Sequence, residues 1–255
     1  MELVSRFSSD LHTAEARYGI SSSTKNAIMI APIIALFLAF FFLSIRVTRA
    51  PMLWMLTENH PIELFTFVAL LGGGLCGLAL ALRLKRQAEA FWIVGFYMSF
   101  SFALILVGME EVAWGQSFLK FQTPQLVESI NAQKELTIHN IKGLQGHSEM
   151  FRLIFGLGGI IGVVASLIPG TRKIGAPAIL LPCLLVIVTH AAVDVYDDLF
   201  PLGPIFNFLM QRTSELVEAL IGAAGLLYVW LNARMFQTHS LSEPGENLRP
   251  KSSGA

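Results

Sequence analysis

"FWIVGFYMSFSFALILVGMEEVAWGQSF", residues 91–118, decides the fold class. From Phe91 to Met109 there is no charged side chain. As a helix this run is about 28 Å long, close to the roughly 30 Å hydrocarbon thickness of a bilayer. It then ends on two adjacent carboxylates, Glu110 and Glu111, followed by Trp114-Gly115-Gln116. A charge at the bilayer centre costs on the order of 2.5–3.5 kcal/mol even on lenient insertion scales. Two acids at the close of a span therefore have a task or a partner.

The rest of the chain has the same character. Of its 255 residues, 54% are hydrophobic and 14% charged, against about 25% charged in a soluble domain. Apolar runs near 26–45, 62–83, 91–110, 150–168, 176–198 and 213–236 are each long enough to span. The expected fold is all-α: a polytopic membrane bundle of about six transmembrane helices, forming one domain over 26–236. Residues 1–25 are polar and lack the charged start, short apolar core and cleavage site of a signal peptide, so the first span is expected to remain. The Ser/Pro/Gly-rich residues 237–255 are expected to be a disordered tail. A net charge of zero argues neither for nucleic acid nor for any bulk electrostatic partner, and no nucleic acid is expected. Cys76 and Cys183 both lie in apolar runs and are read as small buried hydrophobes.

Basic residues set the orientation. Arg83, Lys85 and Arg86 follow the second span, Arg172 and Lys173 the fourth, and Arg234 closes the sixth. The positive-inside rule then predicts cytoplasmic termini, with connections 46–61, 111–149 and 199–212 outside. Arg46 and Arg49 run against this assignment. Under this topology the acids and histidines converge on the outer face. Glu58, His60 and Glu63 open the second span, Glu110 and Glu111 end the third, and His190, Asp194, Asp197 and Asp198 end the fifth. Glu215 and Glu218 open the sixth, and His139, Asn140 and His147 lie in the long connection. His190, Asp194 and Asp198 are four apart and share one helix stripe, with His190 about 12 Å below Asp198.

Taken singly, first-turn acids are what a helix dipole favours, but that leaves the depth of His190 and Asp194 unexplained. Carboxylates and imidazoles also bind divalent metals such as Zn, Mn or Fe, and act as general acids and bases. The metal set expected is His190, Asp194, Asp198, Glu218 and Glu110, with Glu111, His139 and Glu63 as catalytic groups. No compact metal-ligand motif accompanies them.

The connection 111–149 is too long for a plain hairpin. "QTPQLVESINAQKE" offers Thr123 as N-cap and Pro124 as first helical residue, then an apolar side from Leu126, Val127 and Ile130, as for a short interfacial helix. "ELTIHN", residues 135–140, is expected to fold back over Glu110 and Glu111. "LFPLGPIFNFLM", residues 199–210, is broken by Pro201 and Pro204 and is expected to lie along or dip into the membrane. Gly73 with Gly77, and Gly158 with Gly162, are spaced for close helix packing.

The run E-E-x-x-W-G-Q, then F-x-T-P, N-x-Q and a closing H-N, over residues 110–140, resembles an uncharacterised family of bacterial multi-pass membrane proteins. That resemblance implies a bacterial plasma membrane location and brings no activity with it. A looser likeness is to membrane hydrolases of the ceramidase and adiponectin-receptor type. Those have seven spans and a late pair of zinc-binding histidines four apart, a pair this chain lacks. Three functions fit the pattern. One is a metal-dependent or acid–base hydrolase or transferase acting on membrane lipids. The second is a proton- or ion-coupled transporter. The third is a non-catalytic subunit whose polar residues hold a second copy of the chain or another membrane protein.

Overall fold

In a computed structural model, which describes residues 2–57, 60–132, 134–138, 141–142 and 148–242, the chain is helical, with no strand among the described residues. Its helices are α1 (Glu2–Tyr18), α2 (Ser22–Ser44), α3 (Arg46–Met55), α4 (Pro61–Arg86) and α5 (Phe91–Glu111), then α6 (Gln116–Leu119) and α7 (Gln125–Ile130). They are followed by α8 (Ser148–Ser166), α9 (Leu181–Leu199) and α10 (Pro204–Ser242). Six helices among the described residues are long and apolar enough to cross a membrane. They are α2, α4, α5, α8, α9 with its preceding turn from Ala178, and α10. Large apolar side chains cover their outside: Phe37 is 65% exposed and Ile161 69%. Only a bilayer makes such a surface inexpensive. The chain is a multi-pass membrane protein.

α10 is the axis of the bundle. It packs against the α4–α5 hairpin on one side, against α9 of the α8–α9 hairpin on another, and against α2. Glycines let the backbones close up. A side chain at Gly73 would press on the backbone of Leu226 in α10, and one at Gly77 on Ser101 in α5. In α8 the close approach to α9 is made by Gly156 and Gly159, while Gly158 faces open space. Its expected pairing with Gly162 therefore fails: residues 158 and 159 lie about 100° apart around a helix, so only one can face α9.

Antiparallel packing gives the bundle two unlike ends. At the basic end, Tyr97 of α5 donates to the Lys173 carbonyl (2.7 Å), Tyr228 of α10 to that of Ile174 (2.7 Å), and Asn232 to that of Gly175 (3.3 Å). Three consecutive carbonyls of the α8–α9 connection are thereby satisfied. α1 docks on the same end, where Arg234 of α10 donates to the carbonyls of Tyr18 and Gly19. There Arg17 pairs with the buried Asp10. Burial pushes the Tyr18 phenol above its ordinary range. Hydrogen bonds from Lys25 (2.5 Å) and Ser22 (2.7 Å) hold the Glu15 carboxyl below its own.

Other differences from the sequence reading have simple causes. Residues 204–210 begin α10 instead of lying apart from it, because Pro204 sits in the first turn, where a missing N–H costs nothing. α10 also runs through Ser242, taking in residues 237–242 of the expected tail. α7 starts one residue later than expected, with Pro124 as its N-cap, and Thr123 donates instead to the Lys134 carbonyl (2.6 Å). Cys183 is buried as expected, whereas Cys76 is exposed on the bundle surface. Arg49 donates to the Leu43 carbonyl (2.7 Å), closing the C-terminus of α2.

Candidate functional site

At the acidic end the carboxylates of three helices meet. Glu111 closes α5, Glu63 lies in the first turn of α4, and Glu215 and Glu218 are one turn apart in α10. The charges of Glu218, Glu215, Glu63 and Glu110 all act on Glu111, which is half-buried among them. Glu63, Glu111 and Glu218 thus lie close enough for their charges to act on one another.

A cation stands beside this group that sequence reading did not single out. Arg152, in the second turn of α8, is 3% exposed. Its Nη2 donates to Asp194 Oδ2 at 2.6 Å, and its Nη1 reaches Glu218 Oε1 at 3.5 Å. It thus bridges α9 and α10 from α8. Burying such a charge is tolerable only with partners, and these two carboxylates supply them. Glu149, one turn earlier in α8, is also buried and close enough for its charge to act on Asp194.

Glu110 has a different post from its neighbour. Its Oε1 accepts from Trp114 Nε1 at 2.5 Å and its Oε2 from the Ile138 backbone N–H at 2.6 Å. The segment "ELTI" does fold back over the end of α5. Gln116 extends this cap: its Nε2 donates to Thr123 Oγ1 (2.8 Å), and its Oε1 accepts from Leu136 N–H (2.9 Å). Asn131, 1% exposed, donates to the Thr137 carbonyl at 2.8 Å. The chain enters the cap through Ala113, Trp114 and Gly115, all at positive φ. The residues of the E-E-x-x-W-G-Q run thus mostly build the cap. Glu111 is the one that faces the acidic group.

His190 has a different partner from Asp194, one turn further along α9. It is 4% exposed, and its Nε2 lies 2.8 Å from Thr213 Oγ1 of α10. Its other nitrogen is buried without a partner. The same residue lines an apolar groove of about 650 Å³ between α1, α2, α9 and the start of α10. Ile33, Leu36, Leu185, Val186 and Met210 form much of its wall. Ile33 and Leu185 are exposed on the bundle surface, so the groove opens sideways toward lipid.

Asp198 is exposed, and Asp197 is buried with Oδ1 accepting from Leu202 N–H at 2.6 Å. His139, His147, Asn140 and Glu58 lie outside the described residues. His60 meets Trp54 edge to face at 5.0 Å. Of the expected metal set, Glu110 is held by the cap, His190 by Thr213, and Asp194 and Glu218 by Arg152. Among the described residues no three His, Cys, Asp or Glu side chains are grouped so as to hold a metal ion.

Arg152 was the signal most open to sequence reasoning, since a lone arginine inside "MFRLIFGLGG" needs an acid on a neighbouring helix. Thr213 carried no such signal. Compared with known proteins, the chain matches no family model, no curated protein and no solved structure.

Proposed function

We propose that this protein takes a lipid-like molecule from the bilayer into the groove and acts on it by acid–base chemistry at the acidic end, as a hydrolase or transferase. One observation carries the reading: His190 belongs to both places. It lines the groove, and it stands one helical turn from Asp194, which Arg152 holds. A molecule lying in the groove therefore reaches toward side chains that move protons. Glu111 serves as the proton carrier, with Glu63 beside it. Arg152 keeps Asp194 and Glu218 in place and offers positive charge to negative charge developing on a substrate. The proposal does not call on a divalent metal, because the positive charge opposite Asp194 and Glu218 is Arg152.

In the same reading the acidic end faces away from the cytoplasm and the membrane is a bacterial plasma membrane. Support comes from Arg83, Lys85, Arg86, Arg172, Lys173 and Arg234 at the opposite end. Of the two contrary charges, Arg46 and Arg49, Arg49 is engaged as a helix cap.

The test is reconstitution into nanodiscs of bacterial lipid extract, with the lipids profiled by mass spectrometry over time. The parent is expected to convert one lipid class, and Glu111→Gln to do so about 100-fold more slowly or worse with its thermal unfolding unchanged. Unaltered lipids with the parent protein would overturn the enzyme. Elemental analysis runs alongside, on the parent and a His190→Ala, Asp194→Ala variant. Near-stoichiometric Zn, Mn or Fe lost in the variant would restore a metal to the site and displace the role given to Arg152.

A further inference from the structure

Proton counting at Thr213 says which kind of lipid the groove selects. Thr213 Oγ1 lies 2.8 Å from the Leu209 carbonyl and 3.2 Å from that of Met210, both in its own helix. It also lies 2.8 Å from His190 Nε2. A hydroxyl has one proton to give and two lone pairs. The helical carbonyls take the proton, the usual back-bond of a threonine within a helix, so the hydroxyl oxygen accepts from Nε2–H. A neutral imidazole has one N–H. With that proton on Nε2, Nδ1 carries a lone pair.

This lone pair is buried, has no donor, and belongs to a residue in the groove wall. Leaving a buried acceptor unmatched is costly, and the group that matches it is an O–H or N–H. Water in the hydrocarbon core is scarce, and what the groove meets is lipid. We propose that the groove binds a lipid bearing a free hydroxyl, its O–H donating to His190 Nδ1 and its chain lying along Ile33, Leu36, Leu185 and Val186. This rests on the groove being the lipid site of the function proposed above. Nδ1 is buried behind the groove wall that His190 helps to form, so the hydroxyl reaches it only as groove side chains change rotamer. A lipid offering only carbonyl or ether oxygens would set lone pair against lone pair at Nδ1.

Photolabelling in nanodiscs tests this. The probes are a long-chain alcohol carrying a diazirine in its chain and the methyl ether of the same alcohol. Wild-type protein is expected to be labelled on α2 and α9 by the alcohol about tenfold more than by the ether. His190→Phe is expected to take both probes equally, and Val186→Trp, which fills the groove, to lose both. Thr213→Val, which releases the imidazole proton from Nε2, is expected to narrow the ratio without emptying the groove. Equal labelling of wild type by the two probes would overturn the hydroxyl while leaving the groove as a lipid site. Labelling of α2 and α9 no stronger than that of the lipid-facing side of α4 would overturn the groove itself. The wild-type ratio decides the matter even where His190→Phe does not fold.

Discussion

Arg152 and Asp194 meet between α8 and α9 at 2.6 Å, their side chains 3% and 14% exposed. Glu218 of α10 completes the contact at 3.5 Å. Removing one member of a buried pair leaves the other charged and unmatched, at a cost of about 3–5 kcal/mol. Arg152→Leu is therefore expected to lower stability by about that much. The double variant Arg152→Leu, Asp194→Leu is expected to recover most of the loss. Thermal unfolding in detergent measures both. A single variant as stable as the parent would mean that the pair does not hold these helices.

Glu110 and Glu111 should separate cleanly. Glu110→Ala removes the acceptor for Trp114 and for the Ile138 N–H, and charge-assisted bonds of this kind are worth about 1.5–3 kcal/mol each. Faster hydrogen exchange and proteolysis over residues 112–138 are expected, with the spans unaffected. Glu111→Gln should leave cap protection as it is and remove lipid turnover. Similar exchange patterns in the two variants would contradict the division of labour.

The proton on His190 can be observed directly. Solid-state NMR on isotope-labelled histidine is expected to show Nε2 protonated and Nδ1 bare. Thr213→Val, which deprives Nε2 of its acceptor, is expected to cost about 1–3 kcal/mol and to change the tautomer. A bare Nε2 in the parent would reverse the donor and acceptor roles at the groove.

Two glycines of similar sequence context should behave oppositely. Gly73→Leu forces a side chain against the backbone of Leu226, and overpacking of this kind costs about 1–3 kcal/mol. Gly158→Leu enters open space and is expected to be neutral to within about 0.5 kcal/mol. Unfolding of the two variants in detergent checks the contrast.

The spans were legible because apolar length alone announces them, as in Phe91–Glu111. Pro204 was read as a break because a proline's meaning depends on whether it lies inside a helix or at its first turn. The acidic convergence was legible at the level of helix ends, which alternate sides by necessity. The division between neighbours was not. Glu110 and Glu111 are adjacent in sequence, but point about 100° apart around a helix. Which of them faces the cap depends on the rotation of α5 against α4. Likewise, His190 shares a stripe with Asp194, yet α10 offers a threonine at one level and a glutamate at the next. That choice is set by the register of two helices, which no single segment encodes.

The seam between Glu110 and Glu111 has a mechanical consequence. One side chain is moored to the backbone of Ile138, and the next stands among the acids of α4 and α10. Both belong to the last turn of α5, so a rotation of that turn moves the two together. A pull on the cap from outside, by a protein docking there or a protease cutting it, is expected to turn the end of α5. The orientation of Glu111 then changes without the membrane interior being touched.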